Sequence, residues 1–279
     1  MFRALGEPAE RPAAATGVGS RVIADGEYGV FEGAADDEVV FGHYRREGRW
    51  SAQIVDLLCA LLRRGGTLLD VGAHVGLVAI PVLDRTPARC LAFEPEPRNF
   101  AFLRRNVARH GLGARMETHP FALDSAAGPV RLALSSDNAG DHRVLARDAP
   151  AGNRSTVTIE ARTLDGWLDG RALDGPIVMK LDTQGCEARV LRGAARTLAS
   201  VEHVVTEFWP AGLARGGDGV EGLRAALAGF AFGCVLGEGR AHQLVTNAEL
   251  FASLAWIPAD GTDEGFFDLF LSRHPCMPT

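Results

Sequence analysis

Thr67-Leu68-Leu69-Asp70-Val71-Gly72-Ala73-His74-Val75-Gly76 is an apolar run that ends in an acid and passes directly into a glycine-punctuated turn. A second apolar run, Cys90-Leu91-Ala92-Phe93-Glu94, follows about one crossover later and also ends in an acid. Leu77 to Leu83 between them is apolar enough for a helix packed on a sheet, so the three pieces read as one βαβ unit. Gly72 and Gly76 let the backbone turn tightly and approach a ligand, and a carboxylate at the tip of the next strand, Glu94, can accept both hydroxyls of a ribose. The spacing D-x-G-x-x-x-G differs from both the dinucleotide fingerprint and the phosphate loop, and no Lys follows Gly76 to hold a phosphate. Asp70 repels a pyrophosphate and favours a cation. An adenosine with a cationic amino-acid tail therefore suits this turn better than one with phosphates.

With 279 residues, 47% of them hydrophobic, the chain can bury a full core, and one domain with extensions is expected. No apolar stretch reaches the roughly 18 to 20 residues that span a bilayer. The first 20 residues lack the continuous apolar segment of a signal peptide and read as a frayed arm. A net charge of -6 offers no overall footprint for nucleic acid. Five cysteines without CxxC spacing argue against disulfide scaffolds and zinc ribbons, and they suit a reducing cytoplasm. Among 29 Lys and Arg residues Lys180 is the one Lys, so that position either needs a compact ammonium or keeps its Lys by chance.

Along the chain, short β-like pieces from Arg21 to Val40 and on to Gly42 predict a small hairpin or lid. Trp50 to Arg64 has helical spacing, with Ser51 as N-cap and Gly65-Gly66 as its stop. Pro97 to Gly111 is a helix with Phe100, Leu103 and Val107 on one stripe. Ala114 to Ala122 is a strand; Val130 to Leu134 and Thr156 to Ala161 are a pair of edge strands joined by a long polar segment. Pro176 to Asp182 has the near-continuous apolar character of a central parallel strand, and a helix follows over 183–198. Val201 to Trp209, Ala231 to Leu236 and Phe266 to Leu271 complete the sheet, the last as an antiparallel return.

Three separated stretches, LLDVGAHVG with AFEPEPRNFAFLRRNV, TLDGWL with IVMKLDTQGCEARVLRGA, and VVTEFWP, together resemble the FkbM family of S-adenosylmethionine-dependent methyltransferases over roughly residues 65 to 210. The resemblance implies an α/β fold of the class I methyltransferase (Rossmann-like) type, a three-layer sandwich with a seven-strand, mostly parallel sheet and an antiparallel last strand. The chain is expected to divide into an N-terminal arm and small β or lid segment, 1–48, and a methyltransferase domain, 49–279. S-adenosylmethionine is the implied cofactor. Asp70, Gly72, Ala73, His74 and Gly76 would border its methionine part, Glu94 with Pro95 its ribose, and Phe121 with Ala122 its adenine. His74 stands where the family often has Asn.

On the acceptor side Lys180 and Asp182 share one face at a strand tip. Asp182 could hold the cofactor's ammonium or orient the acceptor, Lys180 could remove a proton, and a structural ion pair is the competing reading. His142 is the candidate general base by residue type. It lies in a polar run with Asn138 and Asp141 that a solvated turn would also explain. Glu207 and Trp209 are expected to close the acceptor pocket. Asp182, Glu207 and His142 form a weaker Mg2+ alternative that the spacing does not demand. The expected partner is a small-molecule acceptor, through O-methylation of a sugar, carboxylate or secondary-metabolite intermediate. No nucleic acid or membrane is expected, and a homo-oligomer is left open. N-methylation and a non-catalytic cofactor-binding protein are the alternatives.

Overall fold

The computed structural model describes residues 20–146, 149–237, 243–258 and 265–275. Nearly all of the expected N-terminal arm, together with His242 and Cys276, lies outside the described residues.

The chain begins with a hairpin of β1 (Arg21–Gly26) and β2 (Gly29–Ala34), then α1 (Val40–Glu47) and α2 (Ala52–Leu61). The opening βαβ unit follows as β3 (Thr67–Val71), α3 (Ala79–Arg85) and β4 (Arg89–Phe93), and leads to α4 (Pro97–Arg109) and β5 (Met116–His119). Next come β6 (Ala122–Leu123), β7 (Gly128–Ala133), β8 (Arg143–Val144), β9 (Thr156–Arg162) and α5 (Leu164–Trp167). The remainder is β10 (Ile177–Leu181), α6 (Glu187–Arg192), α7 (Ala195–Leu198), β11 (His203–Phe208), α8 (Pro210–Gly216), α9 (Gly219–Ala226), β12 (Phe232–Leu236), β13 (Val245–Thr246), α10 (Asn247–Ser253) and β14 (Phe267–Ser272).

Among the described residues the main sheet has eight strands, in the order β13-β12-β14-β11-β10-β3-β4-β5. The expected seven strands are present, and the eighth is the two-residue β13 on the β12 edge. β10, β3, β4 and β5 run parallel with β11, and β14 is the antiparallel return between β11 and β12. The period-2 alternation of each strand splits the core into two layers. Leu68, Val178, Val205 and Phe270 face α1 to α4, whereas Leu69, Met179, Val204 and Leu271 face the later helices. Because helices cover both faces, β3 and β10 are buried along their whole length, which explains their unbroken apolar reading.

Several local expectations change. Ser51 precedes α2 in a left-handed conformation with φ 45° and makes no side-chain cap. Val40–Gly42 belongs to α1 rather than to a strand, because Asp37 accepts from the backbone N–H groups of Val40 and Phe41 and so supplies an N-terminal cap. The strand expected over Ala114 to Ala122 stops at His119. Ala122 leaves the main sheet to pair with β9, and β6, β9, β7 and β8 make a separate four-stranded sheet rather than edges of the main one. The helix expected over 183–198 is broken at Gly193, where a Cβ would lie 2.0 Å from the Asp124 carbonyl oxygen. Past that contact Asp165 accepts from Arg196 and Thr197 N–H and starts α7 afresh.

The Asn106 side chain is one of those that join the hairpin to the body, beside Arg105 and Arg109, which pair with Glu32. Asn106 of α4 accepts from Glu32 N–H at 2.7 Å and donates to the carbonyl oxygens of Glu32 and Val75 at 2.9 and 2.8 Å, so its amide extends the hairpin's ladder into the core. Phe31, Phe41 and Tyr44 are fully buried against the same layer as α3 and α4.

Candidate active site

A cavity of about 430 Å³ opens at the C-terminal ends of β3, β4, β10 and β11. Its floor begins at the β3 turn. Gly72 has φ +83°, and a Cβ there would lie 1.9 Å from the carbonyl oxygen of Asp182, so only glycine allows the two strand tips to approach. Ala73 and His74 continue the turn, and His74 N–H donates to Glu94 at 2.9 Å. The other Glu94 oxygen accepts from Glu96 N–H at 2.9 Å. Burial pushes the Glu94 carboxyl up to about 7 despite these two donors.

The expected cofactor residues Gly72, Ala73, His74, Glu94, Pro95, Phe121, Ala122 and Asp182 all line this cavity. Asp70 and Gly76 do not. Gly76 is φ +94° and packs beneath the turn, where a Cβ would meet Ile80 Cδ1 at 2.6 Å. Asp70 is fully buried; among the described residues neither of its carboxylate oxygens is hydrogen-bonded, and its one counter-charge is Lys180 Nζ at 3.4 Å. Their opposition follows from register, since Asp70 and Lys180 are paired residues of β3 and β10.

Lys180 Nζ also donates to the Gly72 carbonyl oxygen at 2.7 Å and lies 3.7 Å from Asp182 Oδ2. Burial opposes its charge, but Asp70 and Asp182 outweigh burial and hold its pKa above the ordinary lysine value. Its hydrogen bond thus goes to the turn, with Asp70 and Asp182 as its counter-charges, and it stays an ammonium at neutral pH. The geometry makes it a strut for the glycine turn.

The acceptor end carries a row of acids. Asp182 and Glu207 stand at the tips of β10 and β11, and Asp268 of β14 pairs directly with Glu207. The Gln184 amide, on a backbone at φ 59°, donates to Asp182 Oδ1 at 2.8 Å and to Glu207 at 3.1 Å. Burial, then Asp182, Glu187 and Asp268, raise the Glu207 carboxyl well above the carboxylate range. Burial and Asp182 push Asp268 up to about 7. Glu187 is a clamp, because its carboxylate gathers the N–H groups of Thr183 and Gly185 and the Thr183 hydroxyl. Among the described residues no three His, Cys, Asp or Glu side chains form a group that could hold a metal ion.

The polar segment after β7 forms one wall. Asn99 donates to the Ala139 carbonyl at 2.9 Å, and Glu38 N–H donates to the Asp137 carbonyl at 3.1 Å, so the segment is tied to α4 and to the start of α1. Asn138 accepts from Gly140 N–H, and Asp141 is held by Arg143 and Arg154. His142 Nδ1 accepts from Ser135 N–H at 3.0 Å, and burial lowers its pKa to about 4. The ring is therefore neutral with its proton on Nε2, and its free nitrogen is a donor. Trp209 is 6% exposed and sits between the guanidinium groups of Arg143 and Arg215, 4.6 and 4.5 Å from the ring centroid.

Gln184 and Asp268 are site residues that sequence spacing did not single out. Strand alternation places Asp268 with Leu236 and Glu207 only once the antiparallel register is known. Gln184 differs from a loop residue only by its left-handed backbone.

A profile described as the methyltransferase FkbM domain matches residues 70–228. The 2-O-methyltransferase NoeI of Sinorhizobium fredii is 28% identical over 172 residues, 56% of this chain and 67% of that protein. The hexuronic acid methyltransferase AglP of Haloferax volcanii is 29% identical over 164 residues, 58% of this chain and 64% of that protein. The alignments thus span about two thirds of each relative. The crystal structure of an FkbM methyltransferase from Methylobacillus flagellatus KT gives a TM-score of 0.44 at 16% identity, over 76% of this chain and 45% of that one. With more than half of its residues inside the matched domain, this chain belongs to the FkbM methyltransferase family.

Proposed function

We propose that the chain transfers a methyl group from S-adenosylmethionine to an oxygen of a small molecule. The observation that carries this reading is a single cavity with two chemically different ends. One end has the Gly72 turn and the Glu94 carboxylate, and the other has Asp182, Gln184 and Glu207 beside Trp209. S-adenosylmethionine supplies an electrophilic methyl group on a positively charged sulfur.

The residues present suit that donor. Gly72 leaves room that a side chain would fill, and Glu94 keeps lone pairs for ribose hydroxyls beyond those used by His74 and Glu96 N–H. The acidic strand tips favour a cation. Phe121 and Ala122 offer an apolar surface for a base. Lys180 holds the turn and Asp182 together, so donor and acceptor ends keep a fixed separation, and positioning of this kind can supply much of the acceleration of a displacement.

The names of the relatives, a 2-O-methyltransferase and a hexuronic acid methyltransferase, favour oxygen over nitrogen as the acceptor atom. Four free thiols among the described residues suit a cytoplasmic setting, and no helix there is long and apolar enough to cross a membrane. Isothermal titration with S-adenosylmethionine and with its demethylated product tests the donor site. Labelled-methyl transfer to sugars, uronic acids and phenols tests the reaction. Absence of binding to both cofactor forms refutes the reading.

A further inference from the structure

Lys180, His142, His74, Asp141, Cys186 and the three acids at the strand tips line the cavity and are able to exchange a proton; of these His74 faces Asp37 at 3.4 Å, Asp141 is held by Arg143 and Arg154, and the Cys186 thiol donates to the Val144 carbonyl. Lys180 is an ammonium hydrogen-bonded to the Gly72 carbonyl and ion-paired with Asp70 and Asp182. His142 has its one lone pair occupied by Ser135 N–H. Asp182 is engaged by Lys180 and Gln184, and Glu207 by Gln184. Asp268 remains. It lines the cavity, and its carboxyl has no hydrogen-bond or ion-pair partner among the described residues.

We infer, resting on the methyltransferase reading above, that Asp268 is the catalytic proton acceptor and that the methyl acceptor is a hydroxyl group on a neutral molecule. In the step, the acceptor's O–H proton passes to an Asp268 carboxylate oxygen. The O–CH3 bond forms as the C–S bond of the donor breaks, and that electron pair stays on sulfur, which becomes a neutral thioether. A carboxylate acceptor needs no base, and it would bring a further negative charge against Asp182, Glu207 and Asp268. A neutral hydroxyl instead offers a donor to a row of acceptors.

The surroundings of Asp268 support the role. Asp182 and Lys180 face it from β10, Glu207 from β11 and the uncharged Leu236 from β12. Glu207 is the more deeply buried acid and its carboxyl is raised by burial and by its acidic neighbours, whereas Asp268 titrates at about 7, where a base exchanges protons most effectively. The Trp209 indole N–H has no acceptor among the described residues, and that side chain lines the same cavity.

The test uses labelled S-adenosylmethionine with methyl glycosides of glucose, mannose and rhamnose beside glucuronic acid. Wild type, Asp268→Asn and Asp268→Glu are compared, and each is checked for folding by its melting curve and for cofactor affinity by titration. Wild type is expected to methylate a neutral glycoside, with kcat falling as pH drops through about 7. Asp268→Asn should lower kcat by roughly 100-fold or more and lose that acid limb, while cofactor affinity holds. Asp268→Glu should keep part of the rate. A wild-type rate and pH profile in Asp268→Asn overturn the inference, as does methylation confined to glucuronic acid or absent from every glycoside. Those results leave the methyltransferase reading standing wherever the cofactor binds, whereas failure of the wild type to bind the cofactor removes both.

Discussion

Replacing Lys180 by Met keeps the stem and removes the ammonium, leaving the fully buried Asp70 with no counter-charge and the Gly72 carbonyl with no donor. Breaking one side of a buried pair costs about 3 to 5 kcal/mol, because the remaining charge stays desolvated and unpaired. For a chain of this size each kcal/mol lowers the melting temperature by roughly 2 to 4 °C, so a fall of about 6 to 20 °C is expected. Burial already raises the Asp70 carboxyl, and Lys180 is the group that lowers it. Without Lys180 the folded state binds that proton more tightly than the unfolded chain does. Stability therefore falls as pH climbs from the ordinary carboxylate range through the raised value, so the variant's deficit is smaller at about pH 5 than at about pH 8. Asp70→Asn in the same background removes the stranded charge and should restore most of the loss. Urea unfolding of the wild type, Lys180→Met, Asp70→Asn alone and the double variant at both pH values reads these terms directly. A loss below about 1 kcal/mol for Lys180→Met, or no recovery in the double variant, refutes the strut assignment.

Glu94→Gln should weaken S-adenosylmethionine binding by roughly 10-fold, the difference between a charge-assisted and a neutral hydrogen bond, as read by titration calorimetry. Because the Glu94 carboxyl is raised to about 7, wild-type affinity should increase as pH rises through that value, and the variant should lose this dependence. Asn106→Ala leaves the N–H and carbonyl of Glu32 and the carbonyl of Val75 without their partner, so unfolding stability should drop by roughly 2 to 4 kcal/mol with faster amide exchange in the β1–β2 hairpin. Glu187→Gln turns a carboxylate that accepts from three groups into a neutral amide. It should loosen the 183–185 loop and lower turnover more than cofactor affinity, since Gln184 bridges the acceptor-side acids.

The fold was largely legible because its signals are local. An apolar run bounded by glycine, a Pro at the start of α4 and helical stripes are properties of single segments, and they placed β3, β4, β10, β11 and β14 close to where they lie. The misplaced elements depended on a distant partner. β6 leaves the main sheet because β9 is there to receive it, and α6 stops because Gly193 meets the chain at Asp124. The acid at 37 that caps α1 lies within a stretch that reads as extended.

The sequence by itself pointed to the family: the glycine turn after β3 has a spacing that differs from a phosphate loop, and three ordered motifs match the FkbM methyltransferases. Only the tertiary structure decided which carboxyl lining the cavity is left without a partner among the described residues. Lys180 and His142 have suitable side chains for taking a proton, but burial, register and one backbone N–H commit them elsewhere. Asp268 lies 86 positions beyond Asp182 and reaches the same cavity through an antiparallel return. A side chain's proton affinity depends on neighbours brought together by pairing across strands, and that information is absent from any one segment.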